Sequence, residues 1–348
     1  MDLHLKQVQE LIDKTYKKVK SNNGGKVASY IPQLAKADPK LFGIAFVSCN
    51  GDVIEAGEAT KTIPIESISK VFSLAMAVED FGVNVVDKKI GNVGSSLPFN
   101  SIIGTVLSPS HTINPFVNQG AIATTSLFYK KNKTAFRKKV LDNMDNFAGR
   151  HLPINMPVYR SEGATNSTNM ALAYLLKSFN RFYGDVDDTV DIYTEQCSKN
   201  VSAKDLASMA SVFANGGTHP LNGKKIISPD TATYVYRALR GEGLYEYSAK
   251  WDTDVGCISA KSGVGGGIFV ILKGIGGIGI VSPPLDKIGN SVRGIKSGTI
   301  ISNGIYKIYN ARRHFNYLNT FNKTHSKKTH SKKTHSKKTH SKKTRSKK

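Results

Sequence analysis

The sequence predicts an α+β fold, one antiparallel sheet carrying a helical lobe. Three observations lead there: strand-like runs near both ends, a long middle with helical periodicity, and turn chemistry that separates them. Phe42 to Ser48 and Val53 to Ala56 flank Asn50-Gly51-Asp52 and read as a hairpin closed by an Asn-Gly turn. Gly267 to Leu272 and Gly276 to Val281 are apolar runs separated by a Lys-Gly turn. Strands so far apart in the chain, with helices between them, are expected to meet in a single sheet.

The helices follow in order. Leu5, Val8, Leu11, Ile12 and Tyr16 fall on one face of an N-terminal helix. Val71, Phe72, Leu74, Ala75 and Val78 mark an apolar helix that Ser67 is expected to open in its first turn. Asn169 to Phe182 is one long periodic segment. Ser202 to Phe213 begins with Ser-x-x-Asp, a capping pattern, and stops at Asn215-Gly216-Gly217. Ser228-Pro229-Asp230 opens a helix ending near Gly241, and a last helix is expected from Val292 to Ala311.

Length and composition fit a protein with a sizeable core: 348 residues, 39% hydrophobic and 22% charged. Cys49, Cys197 and Cys257 are odd in number and widely spaced, which argues against a disulfide framework or a zinc site. Met1 to Lys20 mixes Asp2, Glu10 and Asp13 with lysines and does not read as a secretory signal. Gly263 to Leu285 is interrupted by Lys273 and by glycines and does not read as a membrane span. The expectation is a cytoplasmic protein.

The net charge is +23, of which residues 323–348 carry +12 with no acid. Those residues hold the unit THSKK four times and then TRSKK, without a hydrophobic side chain, so a disordered tail is expected over 318–348 and a folded domain over 1–317. A weak polyanion contact is one use for such a tail; a merely solubilising repeat is the other. It lacks the aromatic residues that stack on bases.

Two short motifs carry chemistry. In Ser67-Ile68-Ser69-Lys70 the serine and lysine are three residues apart, which brings them to one helix face. A desolvated lysine amine can deprotonate a serine hydroxyl at neutral pH. Taken alone, the pattern is equally that of a capping serine beside an exposed lysine. The second motif is Lys261-Ser262-Gly263, followed by Val264-Gly265-Gly266-Gly267 and a strand. Ser-x-x-Lys at a helix start with Lys-Ser/Thr-Gly on a strand is the pairing of serine β-lactamases and penicillin-binding transpeptidases. No histidine before residue 323 (His4, His111, His151, His219, His314) has a nucleophile context, and no metal-ligand pattern is present.

Across Lys26 to Gly294 the chain resembles the glutaminase family, which has the serine β-lactamase fold. The resemblance rests on KVASYIPQLAKADP, ESISKVFSL, PFNSI, NPFVNQGAI, SEGATNSTNMALAYLLKSF, YTEQCS, FANGG, AKSGVGGGI and SPPLDKIGNS. It implies L-glutamine hydrolysis to L-glutamate and ammonia, with Ser67 as nucleophile, Lys70 as general base and Tyr245 as proton relay. It implies an oxyanion hole from the backbone N–H groups of Ser67 and Val264, and substrate head-group recognition by Tyr30, Asn118, Glu162, Asn169 and Tyr193. A homo-oligomer is implied, and no cofactor or metal. The chain departs from the family in four places. Glu66 stands where glutamine is usual, and Gln119 where alanine is usual. GATNSTN lacks the usual arginine before Asn169, and the interval from Tyr245 to Lys261 is one residue longer. Two alternatives remain at this stage: a glutaminase-like scaffold working through its basic tail, or a hydrolase for another amide such as asparagine or a β-lactam.

Overall fold

The computed structural model of the chain describes residues 3–95 and 97–310. Gln9–Ser302 forms one compact unit, and a second unit is described by residues 3–8 and 303–310. Both of these short stretches are helical. The tail expected from residue 318 lies outside the described residues.

Along the chain, α1 (Leu3–Lys20) is followed by the hairpin β1 (Gly43–Ser48) and β2 (Val53–Gly57), then by β3 (Thr62–Pro64). A 3-10 turn at Glu66–Ile68 leads into α2 (Ser69–Phe81). The middle is helical: α3 (Val83–Lys89), α4 (Ile102–Leu107), α5 (Asn118–Ser126), α6 (Lys133–Ala148), α7 (Met156–Ala164), α8 (Ser167–Ser178) and α9 (Val186–Cys197). β4 (Asn200–Ser202) runs into α10 (Ala203–Ala214), then α11 (Pro229–Glu242), a 3-10 turn at Tyr245–Tyr247 and α12 (Ser248–Val255). β5 (Ser259–Gly263), β6 (Gly267–Leu272) and β7 (Gly276–Val281) form a meander, and α13 occupies 292–310.

The five-stranded sheet has the order β2-β1-β7-β6-β5, antiparallel throughout. The two ends of the chain therefore join at β1 and β7, with Ile44 opposite Ile280 and Phe46 opposite Ile278. Every residue of β1, β6 and β7 is buried, while edge strand β2 alternates. This is the pattern of central strands covered on both faces. On one face lies α10, so close that a Cβ on Gly279 would stand 2.0 Å from the Ala203 carbonyl oxygen. On the other lies the 292–302 part of α13, whose Gly294 and Gly298 approach Ile268 and Ile280. β3 and β4 form a separate two-stranded pair.

Most expected elements are present, and two details differ. The helix expected over Asn169 to Phe182 stops at Ser178, because Asn180 adopts φ +56° and the Arg181 N–H closes back on the Leu176 carbonyl at 2.8 Å. That is a Schellman-type stop with asparagine in the left-handed position. Ser67 lies in the 3-10 turn ahead of α2, not in the first turn of the helix. Ala311, the expected end of the last helix, is outside the described residues.

The lobe meets the sheet through four phenylalanines. Phe72 of α2, Phe147 of α6, Phe213 of α10 and Phe269 of β6 contact one another at centroid separations of 5.0–6.2 Å. Each such buried ring contributes about 1.5–3 kcal/mol of transfer free energy. Together they anchor α2 from Ser69 to Val78, all buried. The start of α2 is thereby held rigidly against the β5–β6 turn. Among the described residues no helix is long and apolar enough to cross a membrane.

Candidate active site

The site begins where β3 ends. Glu66 takes φ +53°, an uncommon conformation for a residue other than glycine, and this kink presents Ser67 at the mouth of a cleft. Ser67 is partly exposed. Lys70, next on the same face, is 1% exposed. Its Nζ donates to the Phe116 carbonyl at 3.1 Å and to Asn118 Oδ1 at 2.7 Å. Both partners are neutral. Burial therefore pushes the amine down to about 8, against a smaller upward pull from Cys197 and Glu66. Asn118 is itself fixed: its backbone N–H donates to the Phe99 carbonyl at 2.7 Å and its Nδ2 to Asn169 Oδ1 at 3.0 Å.

β5 closes the other side. A Cβ on Gly263 would lie 2.5 Å from the Ile65 carbonyl oxygen, so only glycine lets the strand end approach the backbone just before Ser67. That approach brings Val264 to the cleft wall beside Ser67. Lys261 is fully buried; its Nζ donates to the Ser262 carbonyl at 2.9 Å and stands 4.7 Å from the Tyr245 ring centroid. Burial, with Lys70 adding to it, holds this amine well below the usual lysine range, and Glu242 opposes the shift.

Tyr245 also has a left-handed backbone, φ +56°, and is 9% exposed. Its ring packs against Phe99 at 5.3 Å. The hydroxyl makes no hydrogen bond of regular geometry, yet lies beside the Ser67 and Ser262 hydroxyls. Burial raises it to about 12, and those two hydroxyls hold it back. The added residue between Tyr245 and Lys261 is accommodated with Tyr245 in place near Ser67.

Eight of the ten residues expected at the site line one cleft of about 140 Å³: Tyr30, Glu66, Ser67, Asn118, Glu162, Asn169, Tyr193 and Val264. Lys70 and Tyr245 stand behind it, one bonded to Asn118 and the other beside Ser67. Tyr30 is exposed over much of its surface, yet burial around its hydroxyl, then the charges of Glu66, Tyr245 and Glu162, hold the phenol far above its usual range. Tyr193 is 3% exposed and is raised by burial, then by Cys197 and Glu162. Glu66 and Glu162 sit against each other, and both carboxyls are raised, chiefly by burial.

Sequence reasoning assigned no role to Phe99, Phe116 or Cys197. Phe99 walls the cleft beneath Tyr245, Phe116 supplies a carbonyl to Lys70, and Cys197 Sγ lies 3.5 Å from Ser69 Oγ. All three sit inside strings that carry the resemblance, PFNSI, NPFVNQGAI and YTEQCS. Two of these act through backbone carbonyls, which residue type does not encode. Among the described residues no group of three or more His, Cys, Asp or Glu is arranged to hold a metal ion.

Comparison with known proteins agrees with this geometry. The family model Glutaminase matches residues 25–307. A glutaminase from Colwellia psychrerythraea is 45% identical over 290 residues, covering 83% of this chain and 93% of its own. Glutaminase 1 of Escherichia coli K12 is 41% identical over 294 residues, 84% of this chain and 94% of its own. The solved structure of the probable glutaminase ybaS superposes with a TM-score of 0.85 at 39% identity, covering 88% of this chain and 98% of that one. The covalent complex of the Bacillus subtilis glutaminase YbgJ with 5-oxo-L-norleucine gives 0.74 at 27% identity, over 87% and 97% of the two chains. The arrangement is the serine β-lactamase-like one expected from the two motifs, and the chain belongs to the glutaminase family.

Proposed function

We propose that the chain hydrolyses the side-chain amide of L-glutamine through an acyl-enzyme on Ser67, with Lys70 as general base. The observation that carries this is the meeting of a partly exposed serine with a buried lysine hydrogen-bonded to neutral groups and a buried tyrosine hydroxyl at one cleft. A neutral Lys70 takes the Ser67 proton as Oγ attacks the amide carbon. The tetrahedral oxyanion is held by the N–H groups of Ser67 and Val264. Tyr245 passes a proton to the departing nitrogen, which leaves as ammonia. Water, deprotonated by the same base, then hydrolyses the γ-glutamyl ester and restores Ser67. Glu162 pairs with the α-ammonium. Tyr30, Asn118, Asn169 and Tyr193 supply neutral polar groups around the α-carboxylate. The covalent complex of the YbgJ relative supports this chemistry, since 5-oxo-L-norleucine carries a ketone where glutamine has its amide carbonyl.

The test is ammonia release from L-glutamine by the purified chain and by Ser67→Ala. A loss of several orders of magnitude is expected in the variant; equal rates would reject the nucleophile. L-asparagine and a β-lactam run in parallel define the amide specificity.

A further inference from the structure

The residue just before the nucleophile is a carboxylic acid, and it faces a second one. Glu66 is 5% exposed, and one of its carboxyl oxygens, Oε1, has no hydrogen-bond partner. Glu162 also leaves its Oε1 buried and unpartnered. The two carboxyls are within hydrogen-bonding reach of each other on the wall of the cleft. Behind Glu66 stands the glycine turn: Cβ atoms built on Gly263 and Gly265 would lie 3.3 Å from its Cβ and 3.4 Å from its Cγ. That turn presents backbone, so the carboxyl is left to face the cleft and Glu162. Two carboxylates cannot hydrogen-bond unless one holds a proton, and two buried negative charges in contact repel.

Resting on the glutamine reading above, we propose that Glu66 and Glu162 share one proton in the free enzyme, and that docking of the substrate's α-ammonium against the pair expels it. The free pair carries one negative charge. An arriving ammonium stabilises the second carboxylate, so the proton leaves to solvent and the ammonium sits between two ionised groups. A glutamine at position 66, as is usual in the family, offers an amide to Glu162 and has no proton to release.

The groups facing Glu66 are Glu162 on α7, Lys70 on α2, Cys197 and Tyr193 on α9, Tyr30 ahead of β1, and Tyr245. Burial and Glu162 hold the Glu66 carboxyl well above the ordinary range, and only Lys70 draws it down. Burial raises Cys197, Tyr193 and Tyr30 far out of reach of neutral pH and Tyr245 to about 12. Lys70, at about 8, is the one other group that titrates near neutrality, and it is kept in every arm of the test.

The experiment is titration calorimetry of L-glutamine into Ser67→Ala with Glu66 intact, repeated at one pH in phosphate and in Tris. If a proton is released, the observed heat differs between the buffers in proportion to their ionisation enthalpies, and affinity rises with pH by up to tenfold per unit for as long as the free pair still holds its proton. In Ser67→Ala/Glu66→Gln the buffer dependence is expected to vanish while glutamine still binds. The wild-type KM should likewise fall with rising pH, and that of Glu66→Gln should stay flat. Binding with the same heat in both buffers overturns the shared proton and leaves the glutaminase reading intact. A buffer dependence that persists unchanged in Glu66→Gln assigns the proton elsewhere and also overturns it. Absence of both binding and ammonia release fails the functional reading itself.

Discussion

Lys70, the general base proposed above, is a lysine whose amine is set by position alone. It is fully enclosed, its two acceptors are neutral, and among the described residues no carboxylate forms an ion pair with it. Enclosure disfavours the ammonium, so the amine titrates at about 8 where an exposed lysine stays charged until well above 10. A lysine can act as a base only when neutral. Below about 8, kcat should therefore fall as pH falls, by about tenfold per unit, and it should level off above. A profile flat from pH 6 to 9 would be inconsistent with Lys70 as the base. Tyr245→Phe removes the hydroxyl beside Ser67 while keeping the ring on Phe99; kcat is expected to drop about 10²- to 10⁴-fold with KM little changed. A drop confined to KM would make Tyr245 a binding residue instead. Ser67 and Lys70 could be singled out beforehand as a candidate pair, by their spacing taken with the Lys-Ser-Gly motif. The amide chain Lys70–Asn118–Asn169 could not, since it joins three helices across about 100 residues.

At the scale of elements, the pivot is α10 lying on β7. Its start is secured by a capping box: the Ser202 hydroxyl accepts from the Asp205 N–H, and Asp205 accepts from the Ser202 N–H at 2.8 Å. Arg150 grips the same carboxylate through Nε and Nη2 at 2.7 and 2.6 Å. Gly279 then lets the helix rest on the strand. Gly279→Ala would drive a methyl into the Ala203 carbonyl, and backbone cannot step aside, so a loss of about 1–3 kcal/mol or more is expected in urea unfolding. An unchanged midpoint would mean that α10 sits farther from the sheet. The elements legible in the sequence are those with their own punctuation: the Asn-Gly hairpin, the Ser-x-x-Asp start, the Ser-Pro-Asp start and the Lys-Gly turn. β3, β4 and the helices α3 to α7, α9 and α12 were not placed. Three-residue strands exist only through their partners, and α5 is buried along nearly all its length and so has no amphipathic period.

At the scale of the whole chain, charge and chemistry are segregated. Every residue assigned to catalysis or substrate binding lies between Tyr30 and Val264. The densest positive charge lies in the repeats that follow residue 323: Thr324 to Lys348 holds ten lysines and Arg345 and no acid, nearly half of the net +23. Eleven closely spaced cations displace counterions from a polyanion, and such binding weakens steeply with salt. A hydrolase acting on a small zwitterion has no need of that charge for its chemistry. Deleting Thr324 to Lys348 should therefore leave ammonia release from glutamine within about twofold. The same deletion should shift elution from a heparin column to distinctly lower salt. The two readouts separate the roles. Unchanged elution would place polyanion affinity in the remaining +12, spread over the rest of the chain, and the repeats would then serve solubility alone. A loss of activity on deletion would mean that the repeats support the enzyme, against the separation of charge and pocket drawn here.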